Sequence, residues 1–250
     1  MTQSYIKRIL NARVYDVARE TPLDAAPLLS GRLDNQIFLK REDLQPVFSF
    51  KCRGAYNKMS RMGAAALKAG VVAVSAGNHA QGVALAAQTL GIKAKIVMPV
   101  TTPIIKVDAV RARGSTVVLY GDSFDEAAWR STQLVKEKGL TFIHPFDDPD
   151  VIAGQGTVAM ELVRQAPKPL DYVFVCCGGG GLLAGMAAYL RYIWPKTKII
   201  GVEPEDAACV QAALHRGRRV KLREVGLFAD GCAVAQVGKE TFRIIRQCVD

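Results

Sequence analysis

Short apolar runs alternate with longer amphipathic segments through the middle of the chain. The runs predict buried parallel strands, and the segments between them predict helices because their apolar residues recur at helical spacing. The predicted strands in this part are residues 71–74, 95–98 and 116–120. The predicted helices are residues 79–90, 103–113 and 123–138, and a glycine follows each of them. This alternation over residues 71–145 predicts a parallel sheet covered by helices.

The same alternation resumes beyond a link at 165–169 that contains two prolines. Further strands are predicted at 172–176 and 198–202, and further helices at 157–164, 182–193 and 205–216. Nearer the N-terminus, the pattern predicts a helix at 5–18, a short strand at 36–40 and a helix at 54–62. The fold class is therefore α/β, with two open parallel-sheet units and a ligand cleft between them.

Composition is typical of a soluble globular enzyme or binding protein. The chain has 250 residues, half of them hydrophobic and 22% charged, which is enough for a sizeable core. It has no apolar run of about 18 residues, so no membrane span is predicted. Residues 1–8 lack the apolar core of a signal peptide, and the expected compartment is the cytoplasm.

The formal charge of +10 raises the possibility of a nucleic-acid partner. The basic residues do not cluster outside 216–223, and no familiar nucleic-acid motif accompanies them, so a solvated basic face is favoured. The six cysteines contain no CxxC pair and there are only three histidines, which argues against a zinc site and for reduced thiols.

One lysine stands between an aromatic residue and a cysteine, ahead of a predicted helix, in the stretch 49–55, Ser-Phe-Lys-Cys-Arg-Gly-Ala. Partly apolar surroundings weaken the preference of Lys51 for its charged form. Its amine can then act as a nucleophile and form a Schiff base with a carbonyl cofactor. Most lysines are solvated surface charges, so Lys51 alone does not indicate a cofactor site. Two later stretches of the sequence supply the additional evidence.

Four consecutive glycines, Gly178, Gly179, Gly180 and Gly181, separate a predicted strand from Leu182 and a predicted helix. Successive backbone N–H groups in such a turn can form an anion site, and the helix adds its positive end. No Lys-Ser/Thr pair follows, and the spacing is not that of a dinucleotide motif. A tight turn with close helix–strand packing is the alternative, but four glycines in a row favour phosphate binding.

The stretch 75–82, Ser-Ala-Gly-Asn-His-Ala-Gln-Gly, follows another predicted strand, where open α/β sheets bind ligands. Its hydroxyl, amide and N–H groups suit a carboxylate. Asn78 fits a bond to a ring hydroxyl, although a helix cap is a common use of asparagine. His79 by itself is more often a structural histidine. An amine, an anion cradle and this polar turn are together the parts of a pyridoxal phosphate site.

Three motifs in this order resemble the threonine and serine dehydratases, which are fold type II (tryptophan-synthase-β-like) pyridoxal phosphate enzymes. The 49–55 stretch resembles their lysine motif, 75–82 their substrate-carboxylate loop and 178–182 their phosphate loop. The likeness extends over essentially the whole chain, including 40–43, 151–157 and 201–203. Residues 225–231, Val-Gly-Leu-Phe-Ala-Asp-Gly, look like the biosynthetic threonine ammonia-lyase branch.

The resemblance implies a set of roles at matching positions. Lys51 would hold pyridoxal 5'-phosphate and act as the catalytic base, Asn78 would contact the ring hydroxyl, and Gly231 would lie near the ring. The backbone from Gly178 to Leu182 would bind the phosphate. The substrate carboxylate would be bound by Ser75, Gly77, Asn78, His79 and Ala80. The implied reaction converts L-threonine to 2-oxobutanoate and ammonia, with L-serine giving pyruvate, as the first step of isoleucine biosynthesis.

The family pattern also implies domains and partners. Residues 1–55 with 155–250 would form the large cofactor-binding domain, and 56–154 the small domain. Such enzymes continue past residue 250 with the rest of the large domain and a regulatory domain, so we expect this chain to be C-terminally incomplete. A homo-oligomer, tetramer or dimer, is expected, with no nucleic acid or membrane partner. No metal is expected, because a ligand position of the serine racemases falls on Cys209 beside Glu203 and Ala207.

Several alternatives stay open at the level of sequence. A catabolic serine/threonine dehydratase or a serine racemase would use the same motifs, and Ser75-Ala76-Gly77 does not decide between them. A β-replacement enzyme such as cysteine synthase fits the lysine and glycine motifs less well. From a different class, an inactive cofactor-binding regulatory protein is possible, whereas a nucleic-acid binder is least favoured.

Overall fold

Strands in separate sheets carry the segments that form the candidate site. The computed structural model describes residues 2–226 and 228–250. Its strands are β1 (Leu23–Ala25), β2 (Phe38–Lys40), β3 (Val71–Val74), β4 (Ala94–Met98), β5 (Thr116–Leu119), β6 (Thr141–Phe142), β7 (Tyr172–Cys176) and β8 (Lys198–Val202). Its α-helices are α1 (Thr2–Leu10), α2 (Pro27–Arg32), α3 (Lys51–Met59), α4 (Ala64–Ala69), α5 (Asn78–Leu90), α6 (Ile104–Arg111), α7 (Phe124–Lys138), α8 (Pro149–Gln165), α9 (Gly181–Ile193), α10 (Cys209–His215) and α11 (Lys239–Cys248).

The larger sheet has the strand order β5-β4-β3-β6, and every neighbouring pair is parallel. β7 and β8 form a second parallel pair, and β1 and β2 form an antiparallel pair near the N-terminus. The predicted α/β class with parallel sheets is confirmed. The carboxyl ends of β3 and β7 lead directly into the polar turn at 75–82 and the glycine loop at 178–182.

Two large hydrophobic clusters hold these layers together. One joins α3 and α5 to β3 and β4, and Met59, Val71 and Ile96 are fully buried in it. The other joins α1, α8, α9 and α11 to β7 and β8, and it includes Ile9 and Leu183. The polar turn and the glycine loop follow strands whose side chains pack in these two clusters. The close packing of the strands therefore fixes where each of these segments begins.

The predicted helix at 5–18 is wrong in its second half, because α1 ends at Leu10. Ile9 packs in the cluster around β7 and β8, whereas Val14 and Val17 pack in the cluster around β3 and β4. Two short segments that enter different cores therefore gave one helical pattern. The chain turns between them through a hydrogen bond from the Ala12 N–H to the Ile9 carbonyl, at 3.0 Å.

The predicted helix at 157–164 begins earlier, at Pro149, with the Asp148 side chain accepting hydrogen bonds at its N-terminus. The glycines at 154 and 156, which the predicted helix leaves out, lie inside α8. A Cβ on Gly154 would come within 2.6 Å of Gly54 Cα, so the absence of a side chain lets α3 and α8 touch backbone to backbone. Close packing, not flexibility, explains glycine at this position.

Other boundaries shift by smaller amounts. α3 begins at Lys51 and not at residue 54, and the predicted helix at 205–216 is a 3₁₀ turn, Glu205–Ala207, followed by α10. The predicted domain boundary after residue 154 lies within α8, and the division into 1–55 with 155–250 and 56–154 stays a prediction. Among the residues described, no helix is long and apolar enough to cross a membrane. Leu227, in the 225–231 motif, lies outside the described residues.

Candidate active site

Lys51 is the first residue of α3, and its amine points toward the segment that follows β6. Lys51 Nζ donates a hydrogen bond to the Pro145 carbonyl oxygen at 3.0 Å and lies 5.4 Å from the centre of the Phe50 ring. Burial lowers the pKa of Lys51 from 10.5 to about 8, although nearby Cys232 and Cys176 raise it. A substantial fraction of this amine is therefore neutral near physiological pH, and only the neutral form is nucleophilic.

The start of α3 is fixed by contact with α5. A Cβ on Gly82 would lie 2.9 Å from both the carbonyl carbon and the carbonyl oxygen of Lys51. Any larger residue at position 82 would push α5 away from the lysine. The 75–82 motif therefore ends on a glycine that sets the distance between the polar turn and the amine.

A buried ion network fixes α3 against α8 two residues beyond Lys51. Arg53 and Glu161 have no exposed side-chain surface, and Arg53 Nη1 lies 2.5 Å from Glu161 Oε1. Glu42 accepts from Arg53 Nε at 2.8 Å, and Lys40 Nζ donates to Glu161 Oε2 at 2.6 Å. Burial would raise the pKa of Glu161, but hydrogen bonds from Arg53 and Lys40 outweigh it and lower that pKa. Local sequence patterns do not predict this network, because Glu161 is 108 residues away from Arg53.

The polar turn at 75–77 is held by its own hydroxyl. Ser75 Oγ accepts a hydrogen bond from the Gly77 N–H at 3.1 Å, which leaves the hydroxyl proton free to donate. α5 begins at the next residue, and no side-chain cap serves its N-terminus. The N–H groups of its first turn have no partner inside the helix. The turn therefore offers a hydroxyl and backbone donors to an anion, as the sequence predicts for a carboxylate.

His79 is buried behind this turn and is neutral. Its Nε2 lies 2.9 Å from the Ile143 carbonyl oxygen, and since a carbonyl oxygen only accepts, Nε2 carries the proton. Burial, and next the charge of Lys51, lower the pKa of His79 to about 3. The imidazole cannot supply a positive charge to a substrate at neutral pH. Ala80, the next residue, is fully buried and contributes no polar group except its backbone.

Gly231 comes close to Asn78, as the predicted roles of both residues require. A Cβ on Gly231 would be 3.7 Å from Asn78 Nδ2, in ordinary contact. The Asn78 side chain is exposed at the start of α5. The segment that carries Gly231 is joined to α6 by an ion pair of 2.7 Å between Lys106 Nζ and Asp230 Oδ2.

The glycine loop enters α9 through a left-handed residue. Gly180 has φ of +91°, which favours glycine, and it precedes a helix of 13 residues that has no side-chain cap. Residues 179–190 are buried, so the uncapped N–H groups at the start of α9 need an acceptor. A phosphate would satisfy them. The Leu182 side chain packs in the core, so only its backbone N–H is available to a ligand.

Packing also explains these glycines, which was the alternative interpretation. A Cβ on Gly179 would lie 2.3 Å from Phe146 Cδ1, and one on Gly181 would lie 3.0 Å from Phe146 Cβ. The Thr241 hydroxyl donates to the Gly179 carbonyl at 2.8 Å. The packed side chains fix the backbone of the loop, and the start of α9 has no side-chain cap, so packing accounts for these glycines while phosphate binding stays a prediction.

The segment 143–147, Ile-His-Pro-Phe-Asp, was missed by the sequence analysis and connects these parts. Pro145 accepts from Lys51, and Phe146 packs on the glycine loop. His144 Nδ1 accepts from the Asp147 N–H at 2.8 Å, and the Asp147 carboxylate accepts from the Glu240 N–H at 2.8 Å. The available signal was its position at the carboxyl end of β6, beside β3 in the same sheet.

Glu203 lies beside the position that corresponds to a metal ligand of the serine racemases, but its carboxylate binds backbone N–H groups. Its carboxylate oxygens accept from the N–H groups of Val210 and Gln211, each at 2.8 Å, at the start of α10. Burial raises the pKa of Glu203. The carboxylate thus binds the positive end of a helix.

Comparison with known proteins agrees with the motifs. Residues 14–250 match the family described as pyridoxal-phosphate dependent enzymes. The chain is 56% identical to the biosynthetic L-threonine dehydratase of Burkholderia multivorans, covering 100% of this chain and 50% of that protein. It is 59% identical to the chloroplastic biosynthetic threonine dehydratase of Arabidopsis thaliana, covering 98% of this chain and 42% of that protein. The chain thus spans about half the length of these relatives.

Solved structures place the fold in the same group. Processed threonine deaminase isoform 2 from Solanum lycopersicum superposes with a TM-score of 0.97 at 55% identity, over 100% of this chain and 72% of that one. Maize serine racemase gives a TM-score of 0.93 at 32% identity, over 99% of this chain and 74% of that one.

The residues present fit a pyridoxal phosphate group. The amine of Lys51 has a lowered pKa, and the buried N-terminus of α9 has no side-chain cap. Asn78 and Gly231 meet at the end of α5. With the match over 14–250, these features establish that the chain belongs to the family of pyridoxal-phosphate dependent enzymes.

Proposed function

We propose that this chain carries the catalytic site of a threonine dehydratase, which converts L-threonine to 2-oxobutanoate and ammonia. L-serine would give pyruvate by the same route, and the reaction would begin isoleucine biosynthesis. The observation that carries the proposal is the Lys51 amine, placed between the 75–82 turn and the 143–147 segment with a pKa of about 8. Relatives named biosynthetic threonine dehydratase, at 56–59% identity, support the choice of substrate.

Lys51 has two tasks in this reaction. Pyridoxal phosphate, when bound, withdraws electrons from the substrate Cα and so acidifies its proton. The neutral amine of Lys51 would hold the cofactor, and the same amine, when free, would take the Cα proton of threonine as a base. A pKa of about 8 suits both tasks near neutral pH. The Pro145 carbonyl, 3.0 Å from Nζ, accepts a hydrogen bond from the ammonium that this step produces.

The 75–80 turn would bind the substrate carboxylate. Ser75 offers its hydroxyl proton, because the oxygen already accepts from the Gly77 N–H. The uncapped start of α5 adds backbone donors at Asn78, His79 and Ala80 and the positive end of a helix of 13 residues. The neutral His79 ring orients the turn through its bond to Ile143 and carries no charge.

The backbone of Gly178 to Leu182 would bind the phosphate, and Asn78 with Gly231 would contact the ring. The uncapped N-terminus of α9 supports the first role. The approach of Gly231 to Asn78 Nδ2 supports the second. Phe146 excludes water from the inner side of the loop by packing on Gly179 and Gly181.

A trapping experiment tests the cofactor site directly. The 250-residue chain is mixed with pyridoxal phosphate, its visible absorption is recorded, and borohydride reduction is followed by peptide mapping. We expect a yellow absorption band and a reduced adduct on Lys51. Lys51→Ala should lose both, whereas Lys68→Ala, which removes an exposed lysine of α4, should keep both. An adduct spread over several lysines would contradict the proposal.

Product analysis separates the substrate alternatives. A complete enzyme containing this site should form 2-oxobutanoate from L-threonine, and Lys51→Ala should abolish it. A serine racemase would instead convert L-serine to D-serine, which chiral chromatography detects. Retained threonine deamination in Lys51→Ala would overturn the assigned role of the lysine.

Location in the cytoplasm and assembly into a homo-oligomer belong to the same proposal. Both rest on the family resemblance alone. Cell fractionation with an antibody to the chain tests the first. Analytical ultracentrifugation of the purified protein tests the second, with a dimer or tetramer as the expected species.

A further inference from the structure

Two cysteine thiols meet beside Lys51, and the proposed function gives neither of them a role. Cys176 ends β7, and Cys232 ends the 3₁₀ turn Asp230–Cys232. A Cβ on Gly178 would lie 3.1 Å from Cys232 Cα, so the segments that carry the two thiols touch at the start of the glycine loop. The thiols share a side-chain hydrogen bond, and both interact electrostatically with Lys51.

These two thiols differ from the other four in access. Cys176 is exposed and Cys232 is partly buried, whereas Cys52, Cys177, Cys209 and Cys248 are buried. An oxidant in solution therefore reaches Cys176 first. Cys232 is close enough to respond, because the two side chains are already in contact.

The thiols also differ in reactivity. The hydrogen bond from Cys232 lowers the pKa of Cys176 to about 7, and Lys51 acts in the same direction, although partial desolvation of the thiol, whose residue is exposed at the surface, opposes both. Burial instead raises the pKa of Cys209 to about 12 and that of Cys177 still further. A thiolate reacts with peroxides and a thiol does not, so Cys176, whose pKa is lowered, is more reactive at neutral pH than the cysteines whose pKa is raised.

We propose that Cys176 and Cys232 are a redox-sensitive pair that a peroxide converts into a reversible disulfide next to Lys51. The inference rests on the contact between the two thiols and on the exposure of Cys176. It does not depend on which amino acid the enzyme uses. The disulfide would tie the end of β7 to the segment that carries Gly231 and would change the neighbours of the lysine amine.

The chemistry balances with hydrogen peroxide as the oxidant. The Cys176 thiolate attacks one peroxide oxygen, the O–O bond breaks, and a sulfenic acid forms while the released hydroxide takes up a proton as water. The Cys232 sulfur then attacks the Cys176 sulfur, the S–O bond breaks, and the leaving hydroxide takes the Cys232 proton as a second water. The two sulfurs lose two electrons in total, and the peroxide gains them.

The test uses the 250-residue chain, hydrogen peroxide and a thiol count under denaturing conditions. We expect two of the six thiols to be lost, and dithiothreitol to restore both. Mass spectrometry of unreduced peptides should find one crosslink, between Cys176 and Cys232. No loss of thiols, a crosslink between any other pair, or a disulfide-linked dimer would overturn the proposal.

Single variants assign the two roles. Cys232→Ser should form no crosslink and should accumulate a sulfenic acid on Cys176 that a cyclic 1,3-diketone probe captures. Cys176→Ser should lose no thiol under the same treatment. Cys209→Ala is the matched control, because it removes a buried thiol and should leave the crosslink unchanged. Circular dichroism confirms that each variant is folded, and a crosslink that persists in Cys176→Ser or Cys232→Ser would refute the pair.

Discussion

Removing the charge of Glu161 should destabilise the protein more than any exposed charge change. Glu161 has no exposed side-chain surface and accepts from two nitrogens of Arg53, from Lys40 Nζ and from the Tyr15 hydroxyl. In Glu161→Gln one carboxylate oxygen becomes an NH₂ group. This hydrogen-bond donor would then face an N–H donor of Arg53 or Lys40. Arg53 would then keep one carboxylate partner, Glu42.

The size of the effect follows from burial. Breaking a fully buried ion pair by neutralising one partner costs about 3–5 kcal/mol, because the remaining charge stays in a poorly solvated site. With a urea m-value of about 3 kcal/mol/M, the unfolding midpoint should fall by roughly 1–1.7 M. Glu20→Gln is the control. Its pair with Arg164 has side chains 45% and 50% exposed, and such pairs contribute about 0–1 kcal/mol.

The assay is urea unfolding followed by far-UV circular dichroism, with wild type, Glu161→Gln and Glu20→Gln measured together. Pyridoxal phosphate binding is measured in parallel, since α3 carries both Lys51 and Arg53. Glu161→Gln should lower both the midpoint and the cofactor affinity. Equal midpoints for the two variants would refute the view that the buried network holds α3 in place.

Three further predictions concern the site itself. Because only the neutral amine reacts, the rate at which Lys51 captures pyridoxal phosphate should increase as the pH rises through about 8 and then level off. Stopped-flow absorbance measures this rate, and a rate that keeps increasing up to pH 10.5 would contradict the lowered pKa of Lys51. Gly154→Ala should lower stability by about 1–3 kcal/mol in thermal unfolding, since the new Cβ would meet Gly54 Cα at 2.6 Å, whereas Gly31→Ala, with nothing within 4 Å, should not. His79 should stay neutral and protonated on Nε2 from about pH 8 to about pH 5, and a titrating ring in nitrogen-15 spectra would be inconsistent with its burial.

The strands were the part of the fold most accessible from the sequence. Residues 71–74, 172–176 and 198–202 were predicted to the residue, because each is a short run rich in β-branched residues with turn signals after it. The polar turn and the glycine loop were found for the same reason, since they begin where a strand ends. Each of these segments lies at the carboxyl end of a parallel strand, where open α/β sheets bind ligands, although the two strands belong to separate sheets.

The contacts that hold Lys51 in place were not accessible in this way. Arg53 and Glu161 are 108 residues apart, and Lys51 and Pro145 are 94 apart. Periodicity and motif rules relate residues that are a few positions apart in the sequence, so they give no information about such distant pairs. The predicted helix at 157–164 left out Gly154 for a related reason, because local propensity opposes glycine in a helix while tertiary packing against Gly54 requires it.

The segment 143–147 connects the Lys51 amine to the glycine loop at 178–182. Pro145 accepts from Lys51, the adjacent Phe146 packs on Gly179, and the next residue, Asp147, binds the first N–H groups of α11. α11 in turn supplies the Thr241 hydroxyl that bonds the Gly179 carbonyl. A shift of the 143–147 segment must therefore move the amine and the glycine loop together. Three consecutive residues, none of which belongs to the lysine motif or to the glycine motif, thus connect the Lys51 amine to the glycine loop, the two proposed attachment points of the cofactor.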